Sequence, residues 1–431
     1  MRDVIVTLLI LGLLPFAIRR PWVGTVIWVW LAMMIPYRLA YGFARDLPFA
    51  QLAAICTLLG ILFTQPKMRW PKSSILTAYL LFIFWMCVTS IFALHNTEVV
   101  LAQLVTVLKI HLMVFLAIAL IQERKQLEAL VWTIVASLGF YGVKGGIFTV
   151  LTGGGGRVWG PNGGIIEGNN ELGVALVITL PLLYYLYQIS ARRWLKRMLL
   201  AAGLLTLLCV LGTQSRGALL SVTAMAVMLG LKGRRPVLSS VAIVTVLALA
   251  IMFMPDTWSK RMNTIQTYDV DTSAMSRIYT WKTLWNLALD RPLVGAGFRT
   301  DNPLVFSIYG PQMTVAGYDF QGGTVLVAHS IYFQALGEHG FVGLGLFLGL
   351  GIATWRRAGA LAKQSAVQPG LGEWVPLLMR AVQTSLLGYA VGGAFLTLVH
   401  FDLAYYLCAI VVITEGIVQQ ARAQPARPAP A

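Results

Sequence analysis

Residues 328–354 read AHSIYFQALGEHGFVGLGLFLGLGIAT, and this stretch indicates the fold class. Its second half is a continuous apolar run, and the whole segment is long enough to cross a membrane as a helix. His329 lies where a long polar loop re-enters this helix. Apolar stretches of similar length recur from one end of the chain to the other. The sequence therefore predicts an all-α polytopic membrane protein built as a single bundle.

Composition and charge support this class. The chain has 431 residues, of which 58% are hydrophobic and 12% charged, which excludes an ordinary soluble domain. The formal net charge of +16 comes largely from short loops between apolar spans. That distribution is typical of membrane topology and of contact with anionic lipid headgroups, so no nucleic-acid partner is expected. The four cysteines lie in apolar segments, without the spacing of a disulfide framework or a metal site.

The apolar pattern predicts about 12 transmembrane helices, or 13 if the first two segments cross separately. We expect residues 1–420 to form the bundle, including a long loop over 256–328, and residues 421–431 to form a disordered cytoplasmic tail. Within the loop, residues 274–290 predict a helix in the membrane interface, with Trp281 and Trp285 on one face and a stop at Pro292. The predicted spans are 3–18, 21–36, 47–64, 74–94, 99–121, 127–150, 169–189, 196–213, 217–231, 236–255, 329–354, 376–398 and 402–420.

Loop charges orient the bundle. One set of loops is strongly basic, and the positive-inside rule makes it cytoplasmic. The alternate loops are poor in basic residues and face the opposite side. These are the Gly-rich loop 153–170, the turn 213–217, the long loop 256–328 and the turn 400–402. The sequence therefore brings His329, Arg216 and the long loop to one external face.

His329 is the candidate catalytic base. A neutral imidazole can take a proton from a sugar hydroxyl, and nearby arginines would keep it neutral by lowering its pKa. The alternative is a histidine that is merely hydrogen-bonded at a helix start. His339 lies about 15 Å further along a continuous helix, so it is interpreted as a satisfied, buried polar residue. The glycines from Gly337 to Gly351 predict close helix packing.

Several basic residues are candidates for binding a diphosphate. Arg216 lies between two spans without a carboxylate nearby in sequence, and a guanidinium can bind phosphate through two hydrogen bonds. Arg277 and Arg299 are expected on the same face, although each could be a solvated loop charge. Arg157 follows the glycine run 153–156, and Lys144 lies one turn from the external face. That glycine run lacks the context of a nucleotide-binding loop and could be a flexible tether.

Three motifs carry a resemblance to a known family. His329, Ser330, Gly340, Gly343 and Leu344 fit a His-[Asn/Ser/Gln]-x9-Gly-x-x-Gly-[Leu/Thr/Val] pattern, and the other two motifs are Gln214–Gly217 and the stretch from Ser276 to Gly297. With them the chain resembles the O-antigen ligase family, within the O-antigen ligase/polymerase superfamily. The Gly-Glu-His-Gly variant at 337–340 is similar to the branch of exosortase-associated O-glycosylation ligases.

The resemblance implies a GT-C-like glycosyltransferase of the bacterial inner membrane, with both termini cytoplasmic and its active site facing the periplasm. It also implies transfer of a polysaccharide from undecaprenyl diphosphate to lipid A–core oligosaccharide during lipopolysaccharide biosynthesis. In this scheme His329 activates the acceptor hydroxyl for an inverting attack, while Arg216, Arg277 and Arg299 hold the diphosphate. No metal and no cofactor are expected.

Other functions stay open at the level of sequence. A polymerase would extend the glycan on its lipid carrier, and Arg-x10-Gly patterns at Arg157/Gly168 and Arg299/Gly310 fit that activity. A protein O-oligosaccharyltransferase would use a protein acceptor. A flippase or transporter could line a path with Lys109 and Lys144, but the chain shows no clear internal repeat of the kind common in transporters.

Overall fold

A computed structural model describes residues 1–232, 245, 272–315, 318–320, 324–366 and 372–423. We number the helices in chain order. They are α1 (Arg2–Arg19), α2 (Pro21–Met33), α3 (Phe49–Thr64), α4 (Ser74–Ile91), α5 (Thr97–Leu120), α6 (Arg124–Leu151), α7 (Asn169–Ile189), α8 (Arg193–Gly212), α9 (Arg216–Lys232), α10 (Thr272–Asp290), α11 (Pro303–Tyr309), α12 (Ile331–Ala366), α13 (Trp374–Gly393) and α14 (Asp402–Ala423). A two-stranded antiparallel hairpin, β1 (Met313–Val315) and β2 (Tyr318–Phe320), interrupts the helices.

The predicted fold class is confirmed. Among the described residues, 8 helices are long and apolar enough to cross a membrane, and two shorter apolar helices, Phe49–Thr64 and Arg216–Leu229, accompany them. The predicted count of about 12 crossings stays a prediction. The predicted span 236–255 lies outside the described residues, apart from residue 245. So do the first part of the long loop and the final eight residues of the expected tail.

Local sequence signals explain where several helices begin. Ser73 and Asn96 are N-caps, whose side chains accept hydrogen bonds from the amides of Ile75 and Glu98. Glu123 and Gln126 form a capping box at the start of α6. These caps satisfy backbone donors that helix geometry leaves without partners.

The two ends of the bundle differ in charge. At one end, which we call the basic end, the backbone amide of Arg69 donates to the carbonyl of Ala119 at 3.1 Å. There Arg124 also lies over the ring of Trp374, 5.3 Å from its centre. Gln419, near the end of α14, donates to the carbonyl of Lys72 at 3.4 Å. The opposite end, the loop end, contains the segments 34–48, 92–96, 152–168, 213–215, 291–302, 324–330 and 394–401.

The first two helices form a tight antiparallel pair. Arg20 alone separates α1 from α2, and Pro21 starts the second helix. The carboxylate of Asp3 accepts hydrogen bonds from the amides of Gly42 and Ala44, at 2.8 and 3.2 Å. The start of α1 therefore lies beside the segment that follows α2, at the loop end. Because α14 ends at the basic end, the chain's ends lie at opposite ends of the bundle, and the expectation that both termini share one side is wrong.

Helix α12 is broken at Gly340, which has φ +68° and ψ −172°. A side chain at this position would collide with the carbonyl of Leu293, so glycine is required both by conformation and by space. The last carbonyls of the first half, at Gly337 and Glu338, accept hydrogen bonds from the amides of Ala296 and Gly297, at 2.8 and 2.9 Å. A separate short helix over 331–339 therefore rests against the loop 292–297.

Close packing of the glycines in α12 is found up to residue 343. Gly337 is in contact range of Leu284, and Gly343 packs against His339. Gly345, Gly349 and Gly351 face open space among the described residues. Beyond residue 343 the expected packing stripe therefore has no partner in the part of the chain that the structure describes.

The helix predicted over 274–290 is present as α10, Thr272–Asp290. It packs on the short helix 331–339. Its buried residues Tyr279, Leu284 and Leu287 form a cluster with Val305 and Phe306 of α11, and with Ala296 and Ala328. Trp281 stacks on Phe333 with ring centres 5.2 Å apart, and Trp285 meets the edge of Phe341. The tryptophan face thus covers the segment that carries His329.

Candidate functional site

His329 is held in an unusual backbone conformation one residue before a helix. Its φ is +44°, in the left-handed region that costs a non-glycine residue about 1 kcal/mol or more. The amide of His329 donates to Thr397 Oγ1 at 2.9 Å, which joins it to the turn between α13 and α14. The carbonyl of the preceding residue, Ala328, accepts a hydrogen bond from Trp281 Nε1 at 2.9 Å. Two other elements thus hold the peptide unit that precedes His329.

The imidazole of His329 is kept neutral by its surroundings. Burial, as the larger cause, and the positive charge of Arg277 together lower the pKa of His329 to about 4. Its Nδ1 is buried and has no hydrogen-bond partner among the described residues, while the ring as a whole is partly exposed. A neutral, partly accessible imidazole with an arginine nearby is suited to take up a proton from a ligand hydroxyl.

Arg277 comes from the second turn of α10 and acts on two ionisable groups. Its charge reaches His329, and it is also in electrostatic contact with Glu171 in the first turn of α7. The sequence predicted Arg277 on the same face as His329, and in the structure its charge reaches this histidine. Glu171 was not predicted, because Glu171 and Arg277 are far apart in the chain and no local pattern links them.

Arg216 is the first residue of α9, and its placement follows from the turn before it. Gln214 has φ +55°, and the buried Ser215 caps the helix by accepting a hydrogen bond from the amide of Ala218 at 3.3 Å. Asn169 Nδ2 donates to the carbonyl of Thr213 at 2.8 Å, so the start of α7 supports the same turn. The half-buried Arg216 therefore stands at the positive end of a helix dipole at the loop end.

Arg157 lies close to this turn. The amide of the next residue, Val158, donates to the carbonyl of Gly212 at 3.0 Å. The guanidinium of Arg157 lies over the ring of Trp159, 5.5 Å from its centre, and its buried Nε has no hydrogen-bond partner within the described ranges. The loop after α6 thus brings a second guanidinium to the end of α8.

The remaining two basic candidates lie elsewhere or are engaged. Arg299 makes a two-pronged ion pair with Asp301, with Nε–Oδ1 and Nη2–Oδ2 distances of 3.0 and 3.1 Å. Lys144 is exposed on the outer face of α6, which it shares with the exposed Phe140, Ile147 and Phe148. Among the described residues, neither Arg299 nor Lys144 is seen to act on His329, whose pKa is affected by Arg277. A local carboxylate engages Arg299, and Lys144 lies on an outward helix face.

A buried cluster lies at the break in α12, and the sequence analysis did not predict it. Glu338 and His339 precede Gly340, and His400 reaches them from the turn before α14. His400 Nε2 lies 2.8 Å from Glu338 Oε2, and His339 Nε2 lies 3.7 Å from the same oxygen. Glu338 and His400 are 62 positions apart, so no sequence spacing could have linked them. The sequence predicted a continuous helix at this point. Because the helix is broken, His339 lies in this cluster.

His339 is buried, as expected, but it is satisfied on one side only. Its Nδ1 lies 2.8 Å from Thr89 Oγ1, and its backbone carbonyl accepts a hydrogen bond from Trp85 Nε1 at 2.9 Å. Its Nε2 has no hydrogen-bond partner in the part of the chain that the structure describes.

Comparison with known proteins divides the chain into two parts. Residues 201–348 match the family model described as O-antigen ligase, and residues 1–191 match a family model described only as a family of unknown function. No curated protein matches the chain. The first match begins within α8 and ends after the break in α12. It includes the turn of Arg216, helix α10 and the candidate base. Residues 201–348, which hold Arg216, Arg277 and His329, are thus similar to the O-antigen ligase family.

Proposed function

We propose that this protein is an O-antigen ligase that transfers a polysaccharide from undecaprenyl diphosphate to lipid A–core oligosaccharide. The observation that carries the proposal is the neutral imidazole of His329, whose preceding peptide unit is held by Thr397 and Trp281 and which lies within reach of the Arg277 charge. It lies inside the segment matched to the O-antigen ligase family. The similarity to that family supports a ligase- or polymerase-like activity. The donor, the acceptor and the roles of the residues are part of our proposal.

The chemistry uses two groups with different tasks. His329 accepts the proton of the acceptor hydroxyl as that oxygen attacks the anomeric carbon of the donor, and the bond from this carbon to the diphosphate breaks with inversion. Arg216 and Arg277 bind the diphosphate and stabilise the charge that grows on it as it leaves. Arg157 is a third candidate for this role because its guanidinium stands at the same turn as Arg216. Arg299 and Lys144 are not part of this proposal.

The location follows from charge. The loops at the loop end carry few lysine and arginine residues. The basic end carries the Lys/Arg clusters that the positive-inside rule assigns to the cytoplasm. We therefore propose that the site faces the periplasm of a bacterial inner membrane. A donor whose isoprenoid tail lies in the bilayer presents its diphosphate at this level, beside Arg216.

The test is transfer by the purified full-length protein, with undecaprenyl-diphosphate-linked glycan and rough lipopolysaccharide in proteoliposomes. We expect His329→Ala to lower the rate by roughly 10²–10⁴-fold, the usual contribution of a general base. His95→Gln is the matched control, since His95 also lies at the loop end but outside the site, and it should keep the wild-type rate. Full transfer by His329→Ala would overturn the assignment of the base.

Product analysis in the same assay tests the acceptor. Glycan attached to lipid A–core is the expected product. Glycan that lengthens on the undecaprenyl carrier would replace the ligase proposal with a polymerase, and glycan attached to an added protein would replace it with a protein O-oligosaccharyltransferase. Movement of the carrier lipid without a new glycosidic bond would indicate a flippase.

A further inference from the structure

The cluster at the break in α12 has the composition of a metal site. Glu338, His339 and His400 each offer one donor atom, and these three atoms lie within 4.8 Å of one another. All three side chains are buried, with His339 0% exposed. Two imidazoles and a carboxylate form the donor set that proteins commonly use for zinc when one coordination position stays open.

The hydrogen bonds of Thr89 orient His339 for such a role. The hydroxyl of Thr89 lies 3.1 Å from the carbonyl of Met86 and 2.8 Å from Nδ1 of His339. In the tautomer of His339 that carries its proton on Nδ1, this hydroxyl accepts from Nδ1–H and donates to Met86, and Nε2 offers a lone pair. Nε2 is buried without a hydrogen-bond partner among the described residues and lies 3.7 Å from the carboxylate oxygen of Glu338.

Glu338 Oε2 and His339 Nε2 face each other in a buried place, where a cation can bind both atoms. The only hydrogen bonds that the described residues provide to the carboxylate of Glu338 come from Gln334 Nε2, at 3.3 Å to Oε1, and from His400 Nε2, at 2.8 Å to Oε2. A divalent cation bound here adds a positive charge beside the buried carboxylate and gives His339 Nε2 a partner.

The distances suit a small transition-metal ion. Two donors that are about 2.1 Å from a tetrahedral zinc ion lie roughly 3.4 Å apart. The separations of Glu338 Oε2 from His400 Nε2 and from His339 Nε2, 2.8 and 3.7 Å, fall on either side of this value. Binding therefore needs shifts of a few tenths of an ångström, and it displaces the proton that His400 Nε2 shares with Glu338.

A second layer of contacts supports the three donors. Thr89 holds His339, and Gln334 holds the other carboxylate oxygen of Glu338 while accepting from the amide of Val399 at 3.0 Å. Phe298, which is fully buried, meets His339 edge-on at 5.0 Å and packs against His400 at 5.2 Å. Such polar support inside an apolar shell is typical of metal centres.

We propose that Glu338, His339 and His400 bind a divalent transition-metal ion of the zinc class, through Glu338 Oε2 and the Nε2 atoms of both histidines. The ion joins the end of helix 331–339 to the turn 397–400. Because Thr397 of this turn holds the backbone of His329, the metal centre stabilises the scaffold of the proposed base and takes no part in glycan transfer.

The experiment measures metal, independently of transfer. The full-length protein is purified in detergent with a chelator, loaded with Zn²⁺ or Co²⁺, desalted and analysed for metal by mass spectrometry. We expect about one ion per chain and a higher unfolding temperature after loading. Bound Co²⁺ should show the intense visible bands of a low-coordinate site. His95→Gln serves as the control and should bind as much as the wild type.

Three variants locate the site. Glu338→Gln and His400→Gln remove one donor each and should abolish stoichiometric binding. Thr89→Val keeps all donors and the side-chain shape but removes the acceptor for Nδ1–H, and should weaken the affinity roughly 10–100-fold. A wild-type protein that holds no stoichiometric metal, or variants that bind as much as the wild type, would overturn the proposal. Neither result bears on the transfer assay, so the two proposals fail separately.

Discussion

At His329, two physical effects act on one imidazole in the same direction. Loss of hydration and the neighbouring Arg277 charge both disfavour the protonated ring, which lowers the pKa of His329 to about 4. The backbone strain at φ +44° is offset by the two hydrogen bonds of the peptide unit that precedes His329. A base held in this way is unprotonated at neutral pH and becomes protonated only under acid conditions.

The first prediction concerns the pH dependence of transfer. The neutral form of His329 is the active one, so activity is lost as the pH falls through the pKa of His329. With that pKa at about 4, the rate should stay level from pH 7 to roughly 5 and fall about tenfold per unit below 4. Initial rates over this range, with recovery after return to pH 7 as the control for unfolding, measure it. An acid limb near pH 6.5 would contradict the buried, neutral state of His329.

The second prediction concerns Arg277→Gln. Removing the guanidinium removes the charge that lowers the pKa of His329, so the acid limb of the rate profile should move upward from about 4. It should remain below 6.5, because burial is the larger cause and persists in the variant. Arg299→Gln is the matched control, since that arginine is paired with Asp301, and its profile should keep the wild-type limb. Equal limbs in wild type and Arg277→Gln would show that the two groups do not interact.

Among the elements, helix α12 departs most from its sequence pattern. Hydropathy predicted one span over 329–354, and the helix extends to Ala366 with a break at Gly340. No periodicity marks such a break, because apolar residues continue on both sides of it. The helix over 274–290 was easier to predict, since Pro292 and the tryptophan spacing define its end and its face.

The third prediction compares two glycines of α12. Gly340→Ala forces a side chain into positive φ and against the backbone of Leu293, and should lower the free energy of unfolding by about 2–3 kcal/mol. Gly345→Ala, in open space on a regular helix, should raise it by roughly 0.5–1 kcal/mol. Thermal unfolding of the purified variants measures both. Equal effects of the two substitutions would mean that α12 is not broken at residue 340.

For the molecule as a whole, the sequence was sufficient for the fold class and for the positions of most helices. It was also sufficient to bring His329, Arg277 and Arg216 to one end, because loop charge and hydropathy are local quantities. It was not sufficient for contacts between distant segments. The approach of His400 to Glu338 and the outward direction of Lys144 depend on packing that no local pattern encodes.

The fourth prediction concerns the chain ends. Asp3 is bonded to the segment 42–44 at the loop end, while Gln419 contacts Lys72 at the basic end. The two termini should therefore lie on opposite sides of the membrane, the N-terminus outside and the C-terminus in the cytoplasm. Epitope tags at each end, probed with protease in intact and in permeabilised cells, measure this. Protection of both tags in intact cells would contradict the antiparallel arrangement of α1 and α2.

The peptide hydrogen bonds at the break in α12 have a mechanical consequence. The short helix 331–339 is about 13 Å long, at 1.5 Å per residue, with His329 just before one end and the loop 292–297 bonded to the other. The short helix therefore transmits a displacement of the loop 292–297 to the imidazole at its other end. In the proposed reaction, a ligand that displaces this loop also changes the orientation of the base. Binding of the ligand and alignment of the base are then coupled.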